Sequence, residues 1–544
     1  MKEYLLELLN EEVPARFQED ATRMLKERME TACLSAGITV SFLEAYGTPR
    51  RLVLHGELAE EIPARTEERR GPKGEASEAI LQSFLASLPA YAQTEKRETP
   101  KGSYWFALLS HPARPTQEVL PDLIAQVLTQ FPWPKTMRWG SSSFAWVRPL
   151  RNILCLFAGV PLNFTFQGLQ TTDETVGHRF LAPERFSVSD FSSYKAALSQ
   201  RFVLLDRAER AEILKKQFQI LEQRHNLIIV EDAALFAEVL GLVEWPVALL
   251  GKIDPQYQDL PEELIITPMR VHQRYFATRH KDGTLAPFFI CVAGTKTADG
   301  GKRIVQGNEM VLRARLADAR FFFETDKKIP LEQRTQALSQ RIFHRRLGTV
   351  AERLPRLQAW GCLLQDLFQE EAFFQEVRSQ DRERAIALCK ADLGTEAVKE
   401  FPELQGIMGG YYAALQGESP AVATAIQEHY RPQGIKDAVP ETSLGVLLAL
   451  ADKWEMIWSL FQIEERPTGS KDPFALRRAA LGIIRILETH HLSLNLTSLF
   501  QQHTASEKET VTETCLSFFR ERLKGRLKDM GISISVVSSL LEPQ

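Results

Sequence analysis

No stretch of this 544-residue sequence stays apolar for long. The longest such run, LGVLLALA at 444–451, is far short of the roughly 20 residues that cross a bilayer, which excludes a membrane-spanning helix. The opening MKEYLLELLNEEVP breaks its apolar run with glutamates and has no small-residue cleavage site. Neither a secretion signal nor a transit peptide is expected, and the protein is read as cytoplasmic, without a membrane partner. Cysteine is scarce: Cys33, Cys155, Cys291, Cys362, Cys389 and Cys515 form no C-x-x-C pair, which argues against a zinc ribbon or a disulfide framework and leaves them as small buried side chains. A surplus of positive charge is also lacking. The formal net charge of −4 excludes a globally basic nucleic-acid coat, so phosphate binding has to come from local clusters.

The familiar phosphate and nucleophile motifs are missing as well. There is no G-x-x-x-x-G-K-[ST] loop; DGGKR at 299–303 lacks the first glycine and the hydroxyl residue. G-x-G-x-x-G and G-x-S-x-G are absent, which leaves dinucleotide binding and a nucleophile elbow without support. The eleven histidines include no H-E-x-x-H, so no metal centre is expected. Taken alone, the chain looks chemically silent.

What is present is an ordinary globular composition, 44% hydrophobic and 25% charged, on a chain too long for one core. YLLELL suits a strand, and Phe17, Ala21, Met24, Leu25 and Met29 after Pro14 suit a helix over 15–33. Residues 62–77, IPARTEERRGPKGEAS, have the composition of a linker. Short β-type runs follow from 133 to 185, then one polar helix over about 190–225, then strands at LIIV, VALLG and FFICVAG. Beyond Arg334 helical periodicity dominates. The expected architecture is multidomain, an α+β N-terminal half followed by an all-α half. Its divisions are 1–131, an α/β domain; 132–334, an α+β domain; 335–505, helical; and 506–544, the start of a further helical domain.

Positive charge gathers with Gly, Pro or aromatic residues in six places. GTPRRL carries Arg50 and Arg51. ERRGPK at 68–73 is explained equally well by a linker. KTMRWGSSSFAWVRPLRN carries Lys135, Arg138, Arg148 and Arg151, and GHRFLAP carries Arg179. MRVHQRYF carries Arg270 and Arg274, and LRARLADARFFFETDKK carries Arg313, Arg315 and Arg320. Guanidinium groups bind phosphate bidentately and aromatic rings stack on unpaired bases, so six such clusters together point to an RNA-sized anion. For any single one, a solvated face or an internal ion pair is the simpler reading.

GSKDPFALRRAALGIIRIL at 469–487 predicts a helix with Asp472 as N-cap and Pro473 in its first position. Leu476, Ala480, Ile483 and Leu487 line one side, while Phe474, Arg478, Leu481 and Arg485 share the other. That second face needs apolar contact and an anion together, supplied by a neighbouring domain first and by RNA second.

NEEVP, GTPRRL, KTMRWGSS, GHRF, LVEWP, QGNEMVLRARLADARFFFETD, LGTVAERL, CKADLGTEAVKEFPELQGIMGGYYA and GSKDPFALRRAALGIIRIL, in that order over nearly the whole chain, resemble the β subunit of bacterial heterotetrameric glycyl-tRNA synthetase. The resemblance implies a subunit that binds tRNA(Gly) through the basic clusters, positions it for an α subunit holding the class II site for Mg-ATP and glycine, and assembles as α2β2. No catalytic residue or cofactor is then expected on this chain. H-I-G-H, K-M-S-K-S and a class II motif are absent, and RFFFE at 320–324 has the wrong spacing for the last.

The resemblance also implies that 335–505 is a degenerate helical domain of the HD phosphohydrolase type. Asp392 and Asp452 stand at its metal positions, without the doublet histidine; His344 and His429 are the remaining candidate ligands. It implies, too, a C-terminal helical anticodon-binding domain, of which FFRERLKGRLKDMGISISVVSSLL resembles only the beginning. Residues 520–528 carry five positive charges and one negative, suited to RNA backbone or to a solvated helix. An HD-type metal phosphohydrolase and a non-catalytic RNA-binding or assembly paralogue are the alternative readings.

Overall fold

The computed structural model describes residues 1–544 except 91, 101, 435–436, 470, 504–508, 534–535, 538 and 540–544, and the side chains at 501, 503 and 509. The chain forms two units, Met1–Lys252 with Arg274–Asn308, and Ile253–Gln273 with the described part of Glu309–Gln544. The first is mixed α and β, the second largely helical.

The first unit opens with β1 (Lys2–Asn10), α1 (Ala15–Ala36), β2 (Val40–Gly47) and β3 (Arg51–Leu58). β1 lies third in a five-stranded antiparallel sheet, between Leu150–Phe157 and β3. Its apolar run is continuous because both faces are covered. Tyr4, Leu6 and Leu8 enter the core shared with Ala21, Leu25 and Met29 of α1. Leu5, one residue out of phase, packs on the other side with Tyr194 and Leu198. Period two places Glu7 on that second face too, fully buried. α1 ends where Gly37, at φ +83°, turns back and its N–H reaches the carbonyls of Cys33 and Leu34, a termination that favours glycine.

Residues 62–77 are not a linker. Arg65–Lys73 is a strand paired to Gly102–His111, which pairs in turn with Gln93–Thr99. Arg65–Arg70 are all exposed, so this edge strand shows no apolar alternation, and the buried residues of the sheet, Phe106, Ala107 and Leu109, lie on the partner strand.

The single helix expected over 190–225 is two, Phe191–Gln200 and Arg207–His225. Phe202 takes φ +60°, Val203, Leu204 and Leu205 are buried, and Asp206 caps the second helix by accepting from the Ala208 N–H. The strands predicted at LIIV, VALLG and FFICVAG form at Ile228–Ile229, Val247–Lys252 and Leu285–Ala293, joined by Phe276–Arg279 into one antiparallel sheet.

In the second unit the Ser443–Gln462 helix is buried on nearly every side, as expected of a helix apolar all round. The helix predicted from Asp472 starts later, at Leu476. Ala475 adopts φ +55°, so Pro473 lies ahead of the helix, and the Asp472 carboxylate accepts from the N–H groups of Leu476 (2.9 Å) and Arg477 (3.0 Å) across that turn. No helix among the described residues is long and apolar enough to cross a membrane.

Candidate nucleic-acid interface

The GTPRRL turn is organised around Thr48. Its hydroxyl accepts from the N–H groups of Arg50 (3.2 Å) and Arg51 (3.0 Å) and donates to Glu244 (2.7 Å). Arg51 is wholly buried: Nε donates to Glu7 (3.1 Å), Nη1 to Glu244 (2.6 Å) and Nη2 to the Val176 carbonyl. Glu7 also accepts from the hydroxyls of Thr175 (2.5 Å) and Tyr194. Burial alone would raise the Glu244 pKa, but Arg51 and Thr48 outweigh it and hold the carboxyl below its usual range. Arg51 therefore leaves the set of RNA-contacting candidates: its fork is filled by carboxylates inside the unit. Arg50, the next residue back, is half-buried and lines a small pocket with Arg179.

The 132–152 segment displays its cations on an aromatic base. Trp133 meets Trp146 edge-on at 5.1 Å, Phe144 stacks on Trp146 at 5.6 Å, and the Trp146 indole donates to Asn10 (2.8 Å). All three rings are buried, which takes Phe144 and Trp146 of this cluster out of the aromatic residues available to stack on bases. Above them Lys135 and Arg138 are exposed and have no carboxylate partner among the described residues; Arg138 is held through Nε to the Ser143 carbonyl (3.1 Å). Arg148 donates to the Val147 carbonyl (2.9 Å). Arg151 pairs with Glu11 (2.7 Å), Arg179 with Glu12 (2.9 Å) and Glu11 (3.5 Å), and Arg274 with Glu238 (2.8 Å).

In the second unit Arg270 is exposed, whereas Arg313, Arg315 and Arg320 of the Lys302–Asp326 helix are answered by acids. Arg313 pairs with Asp254 (3.1 Å), Arg315 with Glu400 (3.7 Å), and Arg320 with Asp259 and the Gln256 carbonyl. Such exposed pairs contribute only about 0–1 kcal/mol each, so they brace the helix weakly and exchange readily. Arg478 and Arg485 line one pocket of about 250 Å³ with Leu481, and Arg485 donates to the carbonyls of Gly434 (2.8 Å) and Asp437 (2.5 Å). The mixed face of that helix thus meets backbone oxygens of its own unit. In the Glu509–Asp529 helix Arg526 pairs with Glu488 (2.5 Å).

Asp392 and Asp452 are both buried and both engaged. Asp392 accepts from the N–H groups of Gly406 (2.5 Å) and Gly409 (3.1 Å); burial outweighs these bonds and pushes its pKa up to about 6. Asp452 is bound by Lys390 (2.8 Å) and Arg353 (3.2 Å), which overcome burial and hold it well below the carboxylate range. Lys390 also donates to His429 Nε2 (2.9 Å) and lies 3.9 Å from the Tyr430 ring centre. Since a carbonyl only accepts, His429 Nδ1 donates to Ile426 (2.6 Å), which leaves Nε2 to accept from the ammonium. Burial and Lys390 keep this imidazole neutral. Asp452 is thus bound by an ammonium and a guanidinium and Asp392 by backbone N–H groups, and the described residues hold no group of three His, Cys, Asp or Glu arranged for a metal. His344 lies 3.8 Å from Glu465.

The family model of the glycyl-tRNA synthetase beta subunit matches residues 4–542. The chain belongs to that family. It is 43% identical over 579 residues to the glycine-tRNA ligase beta subunit of Rhodospirillum centenum, covering 99% of this chain and 79% of the relative. With the corresponding subunit of Phenylobacterium zucineum it shares 44% over 546 residues, 99% and 78% of the two chains. With that of Cereibacter sphaeroides it shares 42% over 561, 99% and 79%.

The chain is accordingly a subunit of an aminoacyl-tRNA synthetase, a ligase of protein biosynthesis. The motifs that marked the family were legible, but the partners inside them were not. Glu244 in LVEWP and Lys390 in CKADL stand out only once the fold brings Arg51 and Asp452 to them. The sequence signal of Glu244 is a charge within an otherwise apolar run; Lys390, with Asp392 two residues on, lacks even that.

Proposed function

We propose that this chain holds tRNA(Gly) and presents its 3′ end to an α subunit that binds Mg-ATP and glycine and performs the adenylate chemistry, in a cytoplasmic α2β2 assembly. The chain's part in catalysis is then positioning, which converts an encounter into an oriented reaction. The observation that carries this reading beyond family membership is the pair Lys135 and Arg138, exposed cations with no acid partner in a segment braced by buried tryptophans. Arg148 and Arg270 extend the basic surface of their own units, as do Arg151 and Arg179 once phosphate replaces Glu11 and Glu12. Arg313, Arg315 and Arg320 join it by exchanging a weak carboxylate pair for phosphate.

The helical region around Asp392 and Asp452 serves in this proposal as a degenerate HD-type scaffold, its metal replaced by Lys390 and Arg353. The test is glycylation of tRNA(Gly) by this chain mixed with a matching α subunit, against α alone. Charging that depends on the mixture, and that falls for Lys135→Ala/Arg138→Ala with a shallower salt dependence of tRNA binding, supports the role. Equal charging by α alone overturns it.

A further inference from the structure

NEEVP, GTPRRL, GHRF and LVEWP lie far apart in the sequence, yet each contributes to one pocket of the first unit, about 190 Å³ in volume. Pro49 and Val243 are apolar lining, Arg50, Arg179 and Phe180 supply its chemistry, and its two carboxylates, Glu12 and Glu244, are paired with Arg179 and Arg51. The volume is small against the roughly 300–1,000 Å³ of pockets that enclose a whole drug-sized ligand. It accepts one compact group and leaves the rest of the ligand outside.

The GHRF turn is fixed from within. His178 Nε2 donates to the Gly294 carbonyl (2.7 Å), and Nδ1 accepts from the N–H groups of Phe180 and Leu181, both at 3.3 Å. That pattern belongs to the neutral imidazole, and burial lowers the His178 pKa in the same direction. Gly177 permits the turn, since a Cβ there would sit 2.8 Å from the Ala182 carbonyl oxygen. The turn leaves the Phe180 ring 75% exposed, with the Arg179 guanidinium 5.5 Å from its centre.

Arg50 is the unusual member. It is half-buried, no carboxylate lies within ion-pair distance among the described residues, and its Nε is buried without a hydrogen-bond partner. Burial and the neighbouring charges of Arg51 and Arg179 disfavour its cation, against some support from Glu244. A guanidinium held next to two others, with donors unfilled, is built to receive an anion rather than to stabilise the fold.

We propose that this pocket binds one unpaired nucleotide of RNA, its phosphate on Arg50 and Arg179 and its base stacked on Phe180. Phosphate is compact enough for the cavity and matches the arginine fork, whereas the open ring at the rim suits a flat base left outside. The inference rests on the tRNA-binding reading above and names a place within it.

Fluorescence anisotropy of the full chain with a labelled single-stranded oligo(A) octamer, a blunt RNA duplex and tRNA(Gly) tests it. Phe180→Ala is expected to weaken octamer binding by about fivefold or more and Phe180→Trp to retain it, the range of base stacking on an aromatic ring. Arg50→Gln is expected to weaken it as well and to reduce the magnitude of the salt slope by about 0.7, one single-strand phosphate contact. Duplex binding should not respond to Phe180. Octamer binding unchanged in Phe180→Ala and Arg50→Gln, while the unsubstituted chain still binds tRNA, overturns the pocket and leaves the broader reading standing. Failure of the unsubstituted chain to bind tRNA overturns both. If Phe180→Ala weakens only association with the α subunit, the pocket is a protein contact and the RNA assignment falls.

Discussion

Arg51 in the first unit and Arg353 in the second are each buried against two carboxylates, but the charges around them balance differently. Arg51 is the only cation bonded to Glu7 and Glu244 among the described residues, and the hydroxyls of Thr48, Thr175 and Tyr194 fill the remaining lone pairs. Around Arg353 cations are in excess: Lys390 shares Asp452, Arg356 shares Glu455, and a neutral His429 absorbs part of the ammonium's hydrogen bonding. The first arrangement fixes a turn whose next residue, Arg50, reaches a pocket. The second ties the Val350–Leu367 helix and Lys390 to the Ser443–Gln462 helix. A buried ion pair therefore supports a ligand site only when it leaves an adjacent charge unsatisfied.

The sharpest way to break the comparison is Arg51→Met. It strands two buried carboxylates at once, and we expect a loss of about 3–5 kcal/mol, read by urea unfolding with hydrogen exchange at the β1 amides. Arg353→Met should cost less, about 1–3 kcal/mol, because Lys390 and Arg356 still meet both acids. Equal losses would remove the distinction between one cation and several.

Asp392 provides a pH-dependent version. Its pKa of about 6 in the fold exceeds the unfolded value, so its contribution to stability is fully present below about pH 4 and is lost as pH rises through 6. Asp392→Asn cannot ionise, and its stability relative to the parent chain should rise by up to about 3 kcal/mol between pH 4 and 7. His429 acts in the opposite sense: its depressed pKa gives stability present above about 6.5 and lost on acidification. The difference between variant and parent unfolding curves isolates Asp392, and a flat difference refutes its raised pKa. The smallest effect on stability is expected at the surface, where Lys135→Ala/Arg138→Ala should leave the melting temperature unchanged while lowering charging and reducing the salt slope of tRNA binding by about 2.

α1 was legible because its apolar side chains repeat with the helical period, and β1 because a short continuous apolar run suits a strand covered on both faces. The break at Phe202 was not, since the apolar residues after it, Val203 to Leu205, continue a helical pattern while packing as a connection. The basic clusters were visible as compositions, but composition is blind to distant acids. Arg313, Arg315 and Arg320 gave the same signal as Arg138, and only the fold separates the arginines facing Asp254, Glu400 and Asp259 from the one facing a carbonyl.

The strand Arg65–Lys73 has one further consequence. As a sheet edge it offers unpaired main-chain donors and acceptors along its outer side, the template on which foreign strands accrete. Glu67, Glu68, Arg69 and Arg70 are all exposed there, and a strand approaching to extend the sheet would have to strip water from four formal charges in succession. The composition that disguises this segment as a connector thus acts as a guard against aggregation, and neutral, β-branched substitutions along it would be tolerated by the fold while making the protein self-associate.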